Sequence, residues 1–71
     1  MPKTELTTQQ RNIYLFINQF RGEHGYSPSR NEIAQNVHLH LSTVRNHLLV
    51  LEKKGYITWN ERIPRSITVT A

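Results

Sequence analysis

The sequence predicts a mainly α-helical fold closed by a small antiparallel β-hairpin, and three observations carry that expectation. Two capping boxes, Thr7-x-x-Gln10 and Ser29-x-x-Glu32, mark helix starts at which side-chain oxygens satisfy backbone N–H groups left without partners in the first turn. A further apolar line, Val44, Leu48 and Leu51, falls at i, i+4 and i+7 only a short step after the second box. Past Gly55 the periodicity changes to 2: Ile57 and Trp59 share one side of an extended segment, and Ile67 and Val69 share one side of another.

Each element follows in order. After Thr7 the residues Ile13, Phe16, Ile17 and Phe20 fall on one helical face with Tyr14 at its border, and this first helix ends near Gly22 to Gly25. A short third edge strand around Tyr26 to Pro28 is a further option. The second helix begins at Arg30, turns Ile33, Ala34 and Val37 inward and leaves Asn31, Gln35 and Asn36 to water. His38, Leu39 and His40 are too few for an ordinary loop and suit the tight turn between paired helices, with Leu39 as its buried plug. The third helix, residues 41–54, closes with Lys53 and Lys54 at the negative end of its dipole and Gly55 as a left-handed stop. Two strands follow, joined by Asn60-Glu61-Arg62-Ile63-Pro64-Arg65, a polar, proline-containing tip. The core expected from these patterns is Ile13, Phe16, Ile17, Phe20, Ile33, Val37, Val44, Leu48, Leu51, Ile57 and Trp59, with Leu15 and Leu49 left outside.

Three helices and a wing spanning about residues 60–66 define a winged helix-turn-helix, expected to occupy residues 1–71 as a single domain. The residues also resemble a known family. LTTQQRNIYLFI at Leu6 to Ile17, GYSPSRNEIAQ at Gly25 to Gln35 and HLLVLEKKGYI at His47 to Ile57 are similar to the amino-terminal DNA-binding domain of the LexA repressor family. The block at Pro28 to Gln35 is the most specific part, and the resemblance covers nearly the whole chain. Two departures stand out: His38 and His40 replace the glycine or small polar residues usual in the family turn, and Ser42, Thr43, Arg45 and Asn46 do not match the family's reading residues. The resemblance implies the fold and double-stranded DNA as partner, but not the operator sequence.

Composition narrows the function classes. A 71-residue domain buries only about 60% of its unfolded surface, which leaves little room for an enclosed small-molecule substrate site. Nine lysines and arginines against five acidic residues give a formal charge of +4, a balance that favours a polyanionic partner. No cysteine is present, so disulfides, thiolate metal sites and cysteine nucleophiles are excluded. No apolar run approaches the ~20 residues that span a bilayer, and the N-terminus lacks a signal-peptide core, so a cytoplasmic location is expected.

The third helix is the candidate for major-groove insertion, because an α-helix fits that groove with its amino-terminal residues nearest the base edges. With Val44, Leu48 and Leu51 inward, Ser42, Thr43, Arg45 and Asn46 face out as base readers, while Leu41 suits either the surface or the core. Arginine can donate twice to guanine and asparagine can pair bidentately with adenine. Backbone contacts fall to Ser27, Ser29 and Arg30 at the positive end of the second helix, and Arg62 and Arg65 on the wing, where Glu61 is the one acidic neighbour in sequence, are expected to follow the backbone or enter the minor groove.

Catalysis and metal binding have no comparable pattern. His38, His40 and His47 lack a fourth ligand, and neither a Ser-His-Asp order nor a phosphate-cradling glycine loop occurs, so no enzyme activity and no cofactor is expected. The serine–lysine protease half known in LexA repressors is missing from this sequence, which implies an excised DNA-binding domain or a stand-alone relative that cannot cleave itself. Dimer contacts in that family lie mainly in the same portion. A monomer in solution is therefore expected, pairing only on palindromic DNA. The reading is a bacterial or phage-type transcriptional repressor; a winged-helix protein-interaction module using Leu15 and Leu49, or a phage replication or recombination accessory protein, are the alternatives.

Overall fold

The computed structural model of the chain describes residues 5–70. Among them the order is α1 (Thr8–His24), α2 (Arg30–Val37), α3 (Leu41–Lys53), β1 (Ile57–Thr58) and β2 (Thr68–Val69). The strands pair antiparallel, Ile57 opposite Val69 and Thr58 opposite Thr68. Three helices and a two-stranded wing are the winged helix-turn-helix that the periodicities predicted.

Local chemistry sets the helix boundaries. Gln10 N–H donates to Thr7 Oγ1 and Thr7 N–H to Gln10 Oε1, both at 3.2 Å. In α2, Glu32 N–H donates to Ser29 Oγ at 3.1 Å and Ser29 N–H to Glu32 Oε1 at 2.8 Å. Gly25, φ 79°, ends α1 in the left-handed region, and Gly55, φ 85°, follows α3 in the same conformation. The α2–α3 turn is different. His38 takes the left-handed position at φ 58° although it carries a Cβ, and His40, the residue before α3, makes no side-chain capping bond.

The core gathers Ile13 and Ile17 of α1, Ile33 and Ala34 of α2, Val44, Leu48 and Leu51 of α3, and Ile57 and Ile67 of the wing. Its outline departs from the expected one in both directions. Phe16, Phe20, Val37 and Trp59 are only partly buried, while Ile67 is enclosed. On α1 the buried line is Gln10, Ile13 and Ile17, which carries Phe16 and Phe20 to one flank. There Phe20 stacks with Phe16, His24 and Tyr26 at centroid distances of 5.8, 4.2 and 5.6 Å. Leu39 is half-buried against the core rather than enclosed.

No strand forms at residues 26–28. Pro28 has no N–H to give a ladder, and the Ser27 carbonyl already accepts from Arg65 Nη1 at 3.1 Å. Long-range ties fix the wing and the first helix to the rest: Arg21 Nη1 donates to the Ile67 carbonyl at 2.8 Å, and Lys54 Nζ donates to the Glu5 carbonyl at 2.9 Å and to Gln10 Oε1 at 3.3 Å. Lys54 is thus more than a partner for the helix dipole. It joins the end of α3 to the start of α1.

Candidate nucleic-acid interface

The outward face of α3 begins at Leu41. Because Val44, Leu48 and Leu51 are fully buried, the residues on either side of Val44 are turned toward the surface: Ser42 and Asn46 are exposed, and Thr43 and Arg45 are half-buried. Leu41 is 49% exposed, so of its two options the surface one holds. All four residues expected to read bases therefore lie outside the core on the first two turns of one helix.

The wing is held beside that face by its own turn chemistry. Asn60 N–H donates to Ser66 Oγ at 2.9 Å, and the same Ser66 hydroxyl donates to the Asn60 carbonyl at 2.8 Å, so the tip closes through a side chain where the ladder stops. Within the tip, Arg62 N–H donates to Asn60 Oδ1 at 2.9 Å, and Ile63 N–H to the Asn60 carbonyl at 3.0 Å. Ile63, 56% exposed, stands at its end. Between the wing, the start of α2 and the start of α3 runs an open cleft of about 320 Å³, whose lining includes Arg30, Leu41, Trp59, Glu61, Arg62 and Ile63.

The two wing arginines have different surroundings. Arg62 is exposed, and among the described residues its guanidinium has no hydrogen-bond or ion-pair partner. Arg65 turns back into the domain. Its Nη1 lies 2.8 Å from Glu32 Oε1 and 3.1 Å from the Ser27 carbonyl, and its guanidinium sits 5.1 Å from the Tyr26 ring centre and 5.9 Å from that of Phe20. The Arg65 hydrogen bond, helped by the Ser29 N–H, holds the Glu32 carboxyl below its ordinary range. Sequence adjacency pointed to Glu61 as the acidic neighbour of both arginines; the fold gives Arg65 a different one, Glu32, 33 positions away. In this conformation Arg65 braces the wing against α1 and α2 and does not present a free guanidinium.

Ser27 is corrected in the same way. It is 1% exposed and its hydroxyl donates to the Pro28 carbonyl at 2.8 Å, so it has no O–H left to donate to an anion outside. Ser29 and Arg30 remain half-buried at the start of α2. Ser29 already caps the helix, and Arg30 lies over the Trp59 ring at 5.9 Å to the centroid, a packing role that leaves its charge at the cleft mouth.

The ion pairs of Glu61 with Arg45 and of Glu32 with Arg65 are what the sequence did not foretell. Arg45 Nε donates to Glu61 Oε2 at 2.5 Å, joining α3 to the wing. The hydrogen bond from Arg45 lowers the Glu61 carboxyl below its ordinary value; partial desolvation works against this, and the charges of Arg45, Arg30 and Arg62 add to the lowering. No periodicity or motif brings residues 45 and 61 together, since the hairpin alone folds the wing back over α3. Among the described residues His38, His40 and His47 belong to no cluster of three or more metal-binding side chains, and no helix is long and apolar enough to cross a membrane.

A family model described as the LexA DNA-binding domain matches residues 3–66. The LexA repressor of Thermotoga neapolitana is 41% identical over 66 residues, covering 93% of this chain and 34% of that protein. That of Thermosipho africanus is 43% identical over 65 residues, with 92% and 33% covered. The LexA repressor of Carboxydothermus hydrogenoformans is 42% identical over 72 aligned positions, with 100% and 35% covered. The chain spans about a third of the length of the curated relatives it matches.

Proposed function

This chain belongs to the LexA DNA-binding domain family, and we propose on that footing that it binds duplex DNA sequence-specifically and represses transcription through α3 in the major groove. The observation that carries the proposal is the row of Ser42, Thr43, Arg45 and Asn46, which the core leaves unused on the first two turns of a helix flanked by a wing. In that docking Arg45 donates to guanine and Asn46 pairs with adenine, while Ser42 and Thr43 meet bases or nearby phosphates. Ser29, Arg30 and Arg62 follow the backbone, Arg62 as the free wing cation and Arg30 from the cleft mouth. Ser27 and Arg65, assigned to the backbone on sequence grounds, serve the scaffold instead.

The chain does this without a cofactor and without catalysis of its own. A LexA-type repressor acts where bacterial DNA is, in the cytoplasm. The exposed leucines outside the cleft, Leu15 and Leu49, are scattered singly, which is ordinary for a monomer's surface, so we propose a monomer that engages one half-site and pairs only on palindromic duplex. The test begins with a duplex selected from a random pool. Arg45→Ala or Asn46→Ala should lose roughly 5- to 150-fold on that duplex, the worth of one bidentate base pair contact, while binding to random duplex stays nearly constant. Equal losses on both duplexes would remove α3 from base reading.

A further inference from the structure

Glu61 sits where a DNA-binding surface is least served by a carboxylate. It lies on the wing, its Oε2 accepts from Arg45 Nε at 2.5 Å, and the charges of Arg30 and Arg62 reach it as well. A negative charge among three arginines that face a polyanion opposes association with every duplex. Nor does the ion pair hold the fold together, since its side chains are 43% and 42% exposed and such pairs contribute little. General affinity and stability both leave this residue unexplained. Geometry supplies a reason.

Arginine reads guanine with two N–H donors held in one plane. Glu61 occupies Nε, and among the described residues Nη1 and Nη2 of Arg45 have no partner. A guanidinium held by its Nε cannot swing freely about its long side chain, and it keeps the Nη1–Nη2 pair open as a fork. We propose that Glu61 is a specificity-determining positioning residue, which fixes Arg45 from the wing so that Nη1 and Nη2 meet O6 and N7 of a guanine. The proposal rests on the reading that α3 enters the major groove. An unheld arginine can bend toward a phosphate or another base acceptor and accept a wrong sequence at small loss, whereas a held one loses its hydrogen bonds when the guanine is replaced. Glu61 thus lowers affinity for DNA in general and raises discrimination at one base pair.

The experiment is a selection from a fully randomised duplex pool, run in parallel on the unsubstituted chain, Glu61→Ala, Glu61→Gln, Arg45→Ala and the Glu61→Ala/Arg45→Ala double variant. Each protein is then titrated by anisotropy on the duplex selected by the unsubstituted chain, and on the same duplex with the Arg45-dependent guanine replaced. Glu61→Ala should bind the replaced duplex at least as tightly as the unsubstituted chain, while its preference for guanine falls roughly three- to tenfold, a part of what a bidentate contact supplies. Glu61→Gln, whose amide oxygen still accepts from Nε, should fall less. In the Arg45→Ala background, removing Glu61 should change no preference. A Glu61→Ala protein that keeps its full preference, or one whose loss is the same without Arg45, overturns the assignment of Glu61. An Arg45→Ala protein that selects the same guanine, or a parent that selects none, overturns the base-reading role beneath it, so the two failures are distinguishable.

Discussion

His38 offers the sharpest test of how the α2–α3 turn is built. It sits at φ 58° and ψ 44°, caps α2 by donating its N–H to the Ala34 carbonyl, and is exposed, so its side chain contributes little packing. A residue with a Cβ in this region is disfavoured by about 1–2 kcal/mol, although histidine tolerates it better than most. Glycine removes that cost and returns about 0.5–1 kcal/mol through the greater freedom of the unfolded chain. His38→Gly should therefore stabilise the domain by about 0.5–1 kcal/mol, which for a chain of this length raises Tm by roughly 2–8 °C. His38→Ala is the control, since it keeps the Cβ and should give no increase. Thermal unfolding followed by circular dichroism at 222 nm measures both. A lower Tm for His38→Gly, or an equal rise for the alanine variant, would refute a left-handed residue at this turn.

Three further outcomes follow from neighbouring features. His40 has N-cap backbone geometry without a capping side chain, so His40→Ser, whose Oγ can accept from the Thr43 N–H, should add about 0.5–1 kcal/mol in the same melting assay. The wing arginines should separate cleanly: Arg62→Ala should weaken all duplexes, lower the salt slope of binding by about 0.9 and leave Tm unchanged, whereas Arg65→Ala should lower Tm by loosening the wing, and identical behaviour would contradict the split. Glu32 is lowered by Arg65 first and by Ser29 next; a carboxyl with a depressed folded pKa stabilises at pH values above its unfolded pKa, so Tm should hold from neutral pH to about 5 and fall once pH drops below the unfolded value of roughly 4–4.5. Glu32→Gln should show a lower plateau and a shallower fall, and an unchanged acid profile would contradict the pairing.

What could be read along the chain was local. The capping boxes span four residues, the left-handed glycines need only their own φ, and the buried lines of α2 and α3 repeat within two turns, so helix boundaries and most of the core followed from neighbours in sequence. The flank of α1 was harder, because Phe16 and Phe20 are as apolar as Ile13 and Ile17, and only the position of the other helices decides which row is enclosed. Trp59 and Ile67 trade places for a related reason: β1 and β2 are short, and beyond them the chain follows the Asn60–Ser66 closure rather than a ladder. The candidate site divided in the same way. The outward row on α3 is a property of one helix, but the partners of Arg45 and Arg65 lie 16 and 33 positions away. No spacing rule could tell which wing arginine turns inward.

A titration of the isotopically labelled 8.4 kDa domain with a selected duplex, followed by amide and arginine side-chain NMR shifts, tests the central claim most directly. Docking through α3 and the wing predicts that the largest perturbations fall on Ser42, Thr43, Arg45 and Asn46, with a second group at Arg30, Arg62 and Ile63 and little change around Leu15. Perturbations centred on α1, with the 42–46 and 60–66 segments unmoved, would contradict it.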